Sequence, residues 1–306
     1  MYDIIGDVHG FASLLKKLLT KMDYKKVDGV YKHPQRKAIF VGDFINRGPE
    51  VRKTLGIIRS MVDNGAAEAV LGNHEFNAIL YSTRDKNGFP LLTHSAKNRA
   101  PFQKTLKDFF FYPEEWNDYV KWLKSLPLFI EKDGFRIVHA YWNDANIQFL
   151  KEHVPGGKLK KSFLRTVMND RRHHGKIIRE TLKGLLMEMP GDLHVRDQRG
   201  ISHRQFRINW WEAPEGKSFR DLSFGVRFKL PEYTVPKEIL PGFPVYESEK
   251  PIVFFGHYCL SKGASIVQPN LCCVDSCVAS TGNLSAYCWD GEKELSSKKI
   301  VTVSMK

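Results

Sequence analysis

The sequence predicts an α/β fold, and three observations lead there. Short apolar runs alternate with amphipathic helical segments. Polar residues able to do chemistry gather where those runs end, the edge at which open α/β sheets place their ligands. Hydrophobic residues make up 42% and charged residues 26% of the 306, enough apolar material for a sizeable core. That balance excludes a disordered, collagenous or low-complexity chain. At about 150 residues per domain, the length allows two domains or one large one. No low-complexity linker or internal repeat divides the chain, so it reads as one domain over 1–306 with insertions at about 93–130 and 151–245.

Tyr2-Asp3-Ile4-Ile5 is a short strand, Gly6 to Gly10 a polar turn, and Ala12 to Met22 a helix with Leu14, Leu15, Leu18 and Leu19 on one face. Ala38 to Val41 repeats the strand, followed by Gly42-Asp43, a loop to Pro49 and a helix from about Glu50 to Asp63. Glu68 to Leu71 is a third strand, and Gly72-Asn73-His74-Glu75 leads into Ala78-Ile79-Leu80. From about Thr93 to Ser125 the chain turns aromatic and helical, with most of Phe109, Phe110, Phe111, Trp116 and Trp122 expected in the core. Phe135 to Val138 is a strand that delivers His139. Between Gly156 and Pro190, Lys158, Lys160, Lys161, Arg165, Arg171, Arg172 and Lys176 surround apolar positions, which predicts a cationic helical insertion. Pro251 to Phe255 is a strand before Gly256-His257, and short strands with Gly, Asn and Asp turns continue to Val303.

Lys and Arg number 47 against 34 acids, giving a net charge of +13 and a pI near 9.4. Such a surface attracts phosphorylated substrates, nucleic acid or acidic headgroups. The segment 151–245 holds 19 basic and 11 acidic residues, so +8 of the charge lies there. No stretch approaches the ~18 apolar residues of a membrane span, and no clear amphipathic anchor supports a membrane-surface role. The opening residues Met1 to Gly10 lack a basic region and an apolar signal core, so secretion is not expected. Five cysteines without repeated spacing make no disulfide framework, and a reducing cytoplasm fits best.

Five sites share one layout, an apolar strand ending in a small residue plus a metal-ligand type. They are Asp7-Val8-His9, Asp43, Asn73-His74, His139 and His257. Carboxylate, amide and imidazole donors without thiolate suit Mn, Fe or Zn rather than a structural thiolate zinc site. In order, Gly6-Asp7-Val8-His9-Gly10, Gly42-Asp43-Phe44-Ile45-Asn46-Arg47-Gly48, Gly72-Asn73-His74-Glu75, Val138-His139-Ala140 and Gly256-His257 resemble the motifs of the calcineurin-like metallophosphoesterases. The branch they are most similar to is that of bacterial phosphatases related to Ser/Thr protein phosphatases and diadenosine tetraphosphatases. The resemblance implies two β-sheets in a sandwich flanked by helices, with helical insertions, and a phosphoesterase that uses two divalent cations. Mn is the expected metal, with Fe, Zn or Co as alternatives.

Carried over by position, the resemblance implies that Asp7 and His9 bind the first cation, Asp43 bridges, and Asn73, His139 and His257 hold the second. Two cations ~3.5–4 Å apart clamp a phosphate and acidify a water into a nucleophile. Arg47 would hold phosphate oxygens through its guanidinium fork, and His74 would protonate the leaving oxygen. The implied substrates are phosphoproteins, nucleotides or dinucleoside polyphosphates, with RNA phosphate ends also open. A rival reading is a nucleic-acid-binding protein with a vestigial phosphatase site.

Two positions depart from the family pattern. Asn46 stands where an acid usually pairs with the histidine matching His74, so a lowered His74 pKa and a slower acid step are expected. Cys259 stands where many relatives have a second histidine, and it reads as a buried strand residue. Cys272, Cys273 and Cys277 read as strand and core, Gly191-Asp192 to His194 as a coincidental echo of the first motif, and His173-His174 as a solvated helix face. Trp210-Trp211 reads as a strand with one ring exposed, where a base could stack. Asn143 and Asp144 either line the site or cap a helix.

Overall fold

Ten short strands build two five-stranded sheets. The computed structural model describes residues 1–170, 172–189, 194–196, 202–224, 230, 232–240, 242–260 and 263–305. In the first sheet the order is Ile300–Ser304, Asn283–Trp289, Tyr2–Ile5, Lys37–Phe40 and Ala67–Ala69. Its last three strands are parallel, whereas Asn283–Trp289 returns antiparallel beside Tyr2–Ile5. The second runs Ser265–Gln268, Leu271–Cys273, Ile252–Phe255, Phe135–Val138 and Phe129–Lys132. Ile252–Phe255 is parallel to both of its neighbours.

Ile252–Phe255, at the middle of the second sheet, is an unbroken apolar run buried at all four positions, as a strand covered on both faces should be. Alternation along each strand sorts the side chains. Ile4, Ile39, Ile137, Phe254 and Cys272 point between the sheets. Ile5, Phe40, Val138, Phe255 and Cys273 join the larger core beneath the helices. The Ala12–Lys21 helix buries Leu14, Leu15, Leu18 and Leu19 as its sequence predicts. Val51–Asp63 buries Val51, Leu55, Ile58 and Met61.

The first insertion is helical, with Ala96–Arg99, Gln103–Asp108 and Pro113–Leu123. It stops before Phe129, whose strand belongs to the second sheet. Phe109 and Trp122 are buried, but Phe110 and Phe111 are 73% and 83% exposed. The helix Asp144–His153 runs across the start expected for the second insertion, and the helices Lys161–Asn169 and His174–Lys183 lie within 151–245. Arg171, Pro190 and Gly191-Asp192 lie outside the described residues. Among the described residues, no helix is long and apolar enough to cross a membrane.

Several expectations need correction. Trp210 and Trp211 are both buried against Phe255, so neither ring offers a base-stacking platform. Cys259 lies in the loop beyond His257, not in a strand, and is only half-buried. It forms a disulfide with Cys277, which caps the short Val278–Thr281 helix instead of continuing a strand. The two were read separately because 18 residues of chain part them; folding brings them together. Asn143 caps its helix by accepting from Asn146 N, and Asp144 pairs with Lys250 and Arg136. His174 Nδ1 bonds Asp170 Oδ2 at 2.6 Å and packs with His153 and His173 around Phe149.

Candidate metal centre

The loops that leave Tyr2–Ile5, Lys37–Phe40, Ala67–Ala69, Phe135–Val138 and Ile252–Phe255 converge at one edge of the sandwich. This is where parallel strands present their C-terminal ends. Eight non-glycine residues among those described have positive φ, and five of them are His9, Asp43, Asn46, Arg47 and His257. Such backbone costs of order 1–3 kcal/mol per residue and persists where its surroundings hold it. Two glycines let the carboxylates in. A Cβ on Gly72 would lie 2.2 Å from Asp43 Oδ1, and one on Gly256 would lie 2.1 Å from Asp7 Oδ1.

Asp43 is the centre. Its Oδ2 lies 3.6 Å from His9 Nε2 and 3.9 Å from His74 Nε2, and its Oδ1 lies 3.5 Å from His139 Nε2. Asp7 Oδ2 is 4.0 Å from His9 Nε2, and the Asp7 carboxylate accepts from His257 N at 3.2 Å. Two groups that could hold a cation share Asp43: His9, Asp43 and His74, and Asp43, His139 and His257. Asp7, which the sequence places with His9, borders the first group; Asn73 borders the second, its Oδ1 3.1 Å from His139 Nε2.

The imidazoles are aimed. His9 Nδ1 donates to Ile45 O at 3.0 Å, and His139 Nδ1 donates to Val41 O at 2.8 Å. Each Nε2 is thereby turned into the cluster, as in metal-ligating histidines held by a backbone carbonyl. His257 Nε2 is buried with no hydrogen-bond partner among the described residues. Neutral His139 would set a bare Nε2 against the Asn73 oxygen, two acceptors facing each other, which a cation reconciles.

Charge follows the same geometry. Burial, together with Asp275 and Asp43, pushes the Asp7 carboxyl well above its usual range. Burial acts the same way on Asp43, but His139, His74 and His9 outweigh it and hold Asp43 well below. Burial lowers His9 to about 3, His74 to about 4 and His257 well below its ordinary value. Burial also opposes charge on His139, yet Asp43 beside it raises that pKa. Three imidazoles that burial keeps neutral, His9, His74 and His257, around buried carboxylates are a donor set that fits divalent cations; a bound dication would hold Asp7 ionised and favour neutral His139.

Of the other sequence candidates, Arg47 sits at the rim and Asn46 is buried beside His74. Arg47 is exposed and makes no hydrogen bond among the described residues, and its charge bears on Asp7 and Asp275. Asn46 Nδ2 donates to His74 Nδ1 at 2.6 Å, while Thr105 Oγ1 donates to Asn46 Oδ1 at 2.6 Å. Sequence reasoning missed Glu75, which is fully buried and accepts from the backbone N–H groups of Asp43, Phe44, Ile45 and Gly72. Burial and Asp43 push Glu75 up to about 7 against those donors. It missed Asp275 as well, although an acid just beyond the apolar strand Leu271–Cys273 is the same signal as the other motifs. Lys183, at the end of its helix in the basic insertion, is near enough for its charge to bear on His74 and Asp43.

The family model of the calcineurin-like phosphoesterases matches residues 2–260. The chain belongs to this family. It is therefore a hydrolase, a phosphoesterase of a metal-dependent family, and it carries candidate metal-ligating groups at the expected edge. A symmetrical bis(5'-nucleosyl)-tetraphosphatase of Vibrio vulnificus (strain YJ016) is 26% identical over 97% of this chain and 98% of its own. The asymmetrical bis(5'-nucleosyl)-tetraphosphatase PrpE of Geobacillus sp. (strain WCH70) is 44% identical over 45% of this chain and 56% of its own. Among solved structures, a Saccharomyces cerevisiae protein serine/threonine phosphatase overlays with a TM-score of 0.51 at 13% identity, covering 99% of this chain and 78% of that one. That likeness is one of fold.

Proposed function

We propose that this phosphoesterase uses two divalent cations to hydrolyse the phosphoanhydrides of nucleotides or dinucleoside polyphosphates. The observation that carries the reading is the shared carboxylate of Asp43 between two imidazole groups, one of which includes the orphaned His257 Nε2. Asp7 and His9 would hold one cation, Asp43 would be shared, and Asn73, His139 and His257 would hold the other. Mn suits these donors, with Fe, Zn and Co as competitors decided by availability. When bound, the pair neutralises phosphate charge and acidifies a water.

The chain's own residues do the rest. Arg47, exposed at the mouth, takes the phosphate oxygens in a bidentate fork. His74 delivers a proton to the leaving oxygen from Nε2, and Asn46 orients it through Nδ1. The nucleotide reading is supported by the tetraphosphatase relatives and by the cation of Lys183 close to the site. A phosphoprotein substrate is the second reading within the class. The nucleic-acid-binding alternative loses support from the buried Trp210 and Trp211.

One domain with two insertions accommodates the C-terminal strand Asn283–Trp289 pairing beside Tyr2–Ile5. A cytoplasmic setting agrees with three free thiols, Cys272, Cys273 and Cys288, while the Cys259–Cys277 bond would be short-lived there.

The test is Mn-dependent hydrolysis of p-nitrophenyl phosphate and diadenosine tetraphosphate. Turnover should vanish in chelator and fall more than about a hundredfold in Asp43→Asn, beyond what losing an outer partner of a ligand costs. Equal turnover in the variant would overturn the reading.

A further inference from the structure

We infer that the cavity beside His74 receives the nucleobase of the leaving nucleotide and that the Asn77 carboxamide reads the edge of that base. The inference rests on the dinucleoside polyphosphate reading. The cavity, about 220 Å³, opens from Asn46, Asn73 and His74 and runs outward past Asn77, Tyr81 and Phe102. It is smaller than the several hundred Å³ that enclose a drug-sized ligand, and it suits one planar ring.

The Asn73–Ser82 helix sets the spacing. Asn73, Asn77 and Tyr81 are four residues apart and share one face. Asn77 therefore stands about one turn beyond the metal centre and Tyr81 about two, about 6 and 12 Å along the axis. His74 begins the same helix and faces the leaving oxygen, so whatever that oxygen carries is directed along this face.

The lining matches a base. Asn77 is half-buried, and its side chain makes no hydrogen bond among the described residues. Its amide offers a donor and an acceptor side by side, the pairing that suits the N6/N7 edge of adenine. Asn98 spends its Nδ2 on Thr93 and completes the polar side. Ala78, Leu92 and Phe102 supply apolar walls. Tyr81 closes the outer end, held by stacking on His94 at 3.7 Å and 12° and by Phe102 at 5.1 Å. The plain alternative is a solvent-filled gap whose amide is satisfied by water.

The experiment uses the full chain with Mn and compares wild type, Asn77→Ala and the isosteric Asn77→Asp. Adenosine binding, followed by saturation-transfer NMR, is the readout that needs no turnover. Wild type should bind adenosine and both variants should lose it. The KM for diadenosine tetraphosphate should rise about tenfold in the variants, the loss of one bidentate pair, with a smaller change in kcat. Base-free tripolyphosphate should show no such KM shift. Absence of adenosine binding to wild type overturns the inference, as does an unchanged KM in both variants. If adenosine binds through Asn77 but no phosphate compound is turned over, the proposed hydrolysis fails while the base site stands.

Discussion

Asn46 shows how much one side chain sets at this site. Its amide is held on one side by Thr105 and donates to His74 Nδ1 on the other, so neutral His74 carries its proton on Nε2. A carboxylate there would accept from Nδ1 and favour the imidazolium; this amide, its oxygen turned to Thr105, does neither. Burial lowers His74 to about 4, so at neutral pH little of it is charged. The sign is straightforward: the rate component that needs imidazolium is full below this pKa and falls tenfold per pH unit above it. Asn46→Asp should raise the His74 pKa, extend that plateau to higher pH and speed turnover of poor leaving groups about tenfold per unit of rise. A pH–rate profile on a phenyl and a nitrophenyl ester checks this, and superimposable profiles for the two proteins would sink it. The Asn46–His74 pairing was legible from the motifs. Thr105 was not, because it arrives from the helical insertion 59 residues away.

At the scale of elements, Glu75 binds the start of the Asn73–Ser82 helix to the loop after Lys37–Phe40 with four backbone N–H bonds. Glu75→Gln replaces one acceptor oxygen by a donor facing N–H groups. The expected loss is about 2–4 kcal/mol from charged bonds left unmade, read as a lower denaturation midpoint with weakened metal binding through displaced Asp43. A variant with wild-type midpoint and metal affinity would show the carboxylate to be dispensable. The Cys259–Cys277 disulfide joins the loop after His257 to the loop holding Asp275, which accepts from Cys277 N at 2.8 Å. Closing 18 residues contributes about 3 kcal/mol on the chain-entropy account. Oxidised wild type should therefore lose that much stability in reductant, and Cys259→Ser should show no response to it. Equal midpoints with and without reductant, in protein whose thiol count confirms the bond, would contradict this.

Over the whole molecule, the net charge of +13 should act on encounter more than on chemistry. Raising salt from about 50 to about 200 mM shortens the screening length, so the KM for a polyphosphate should rise several-fold while kcat stays level. A salt-independent KM would mean that the basic insertion does not face the incoming substrate. The overall architecture was legible because it is written in local periodicity. Apolar runs of about four residues announced the central strands, and the Leu14, Leu15, Leu18 and Leu19 face announced a helix. The second insertion was less legible: Trp210 and Trp211 carry no periodic signal, and only packing against Phe255 made them core.

By itself the sequence determined the α/β class, the order of the motifs and the residue types at the candidate centre, because strand period and motif spacing are local properties. Tertiary structure alone decided the rest. It brought Asp7 to His257 across 250 residues, left His257 Nε2 without a partner among the described residues, buried Glu75 and paired Cys259 with Cys277. The physical reason is that burial, field and reach depend on distance in space, and residues far apart in the chain acquire that distance only when the two sheets pack.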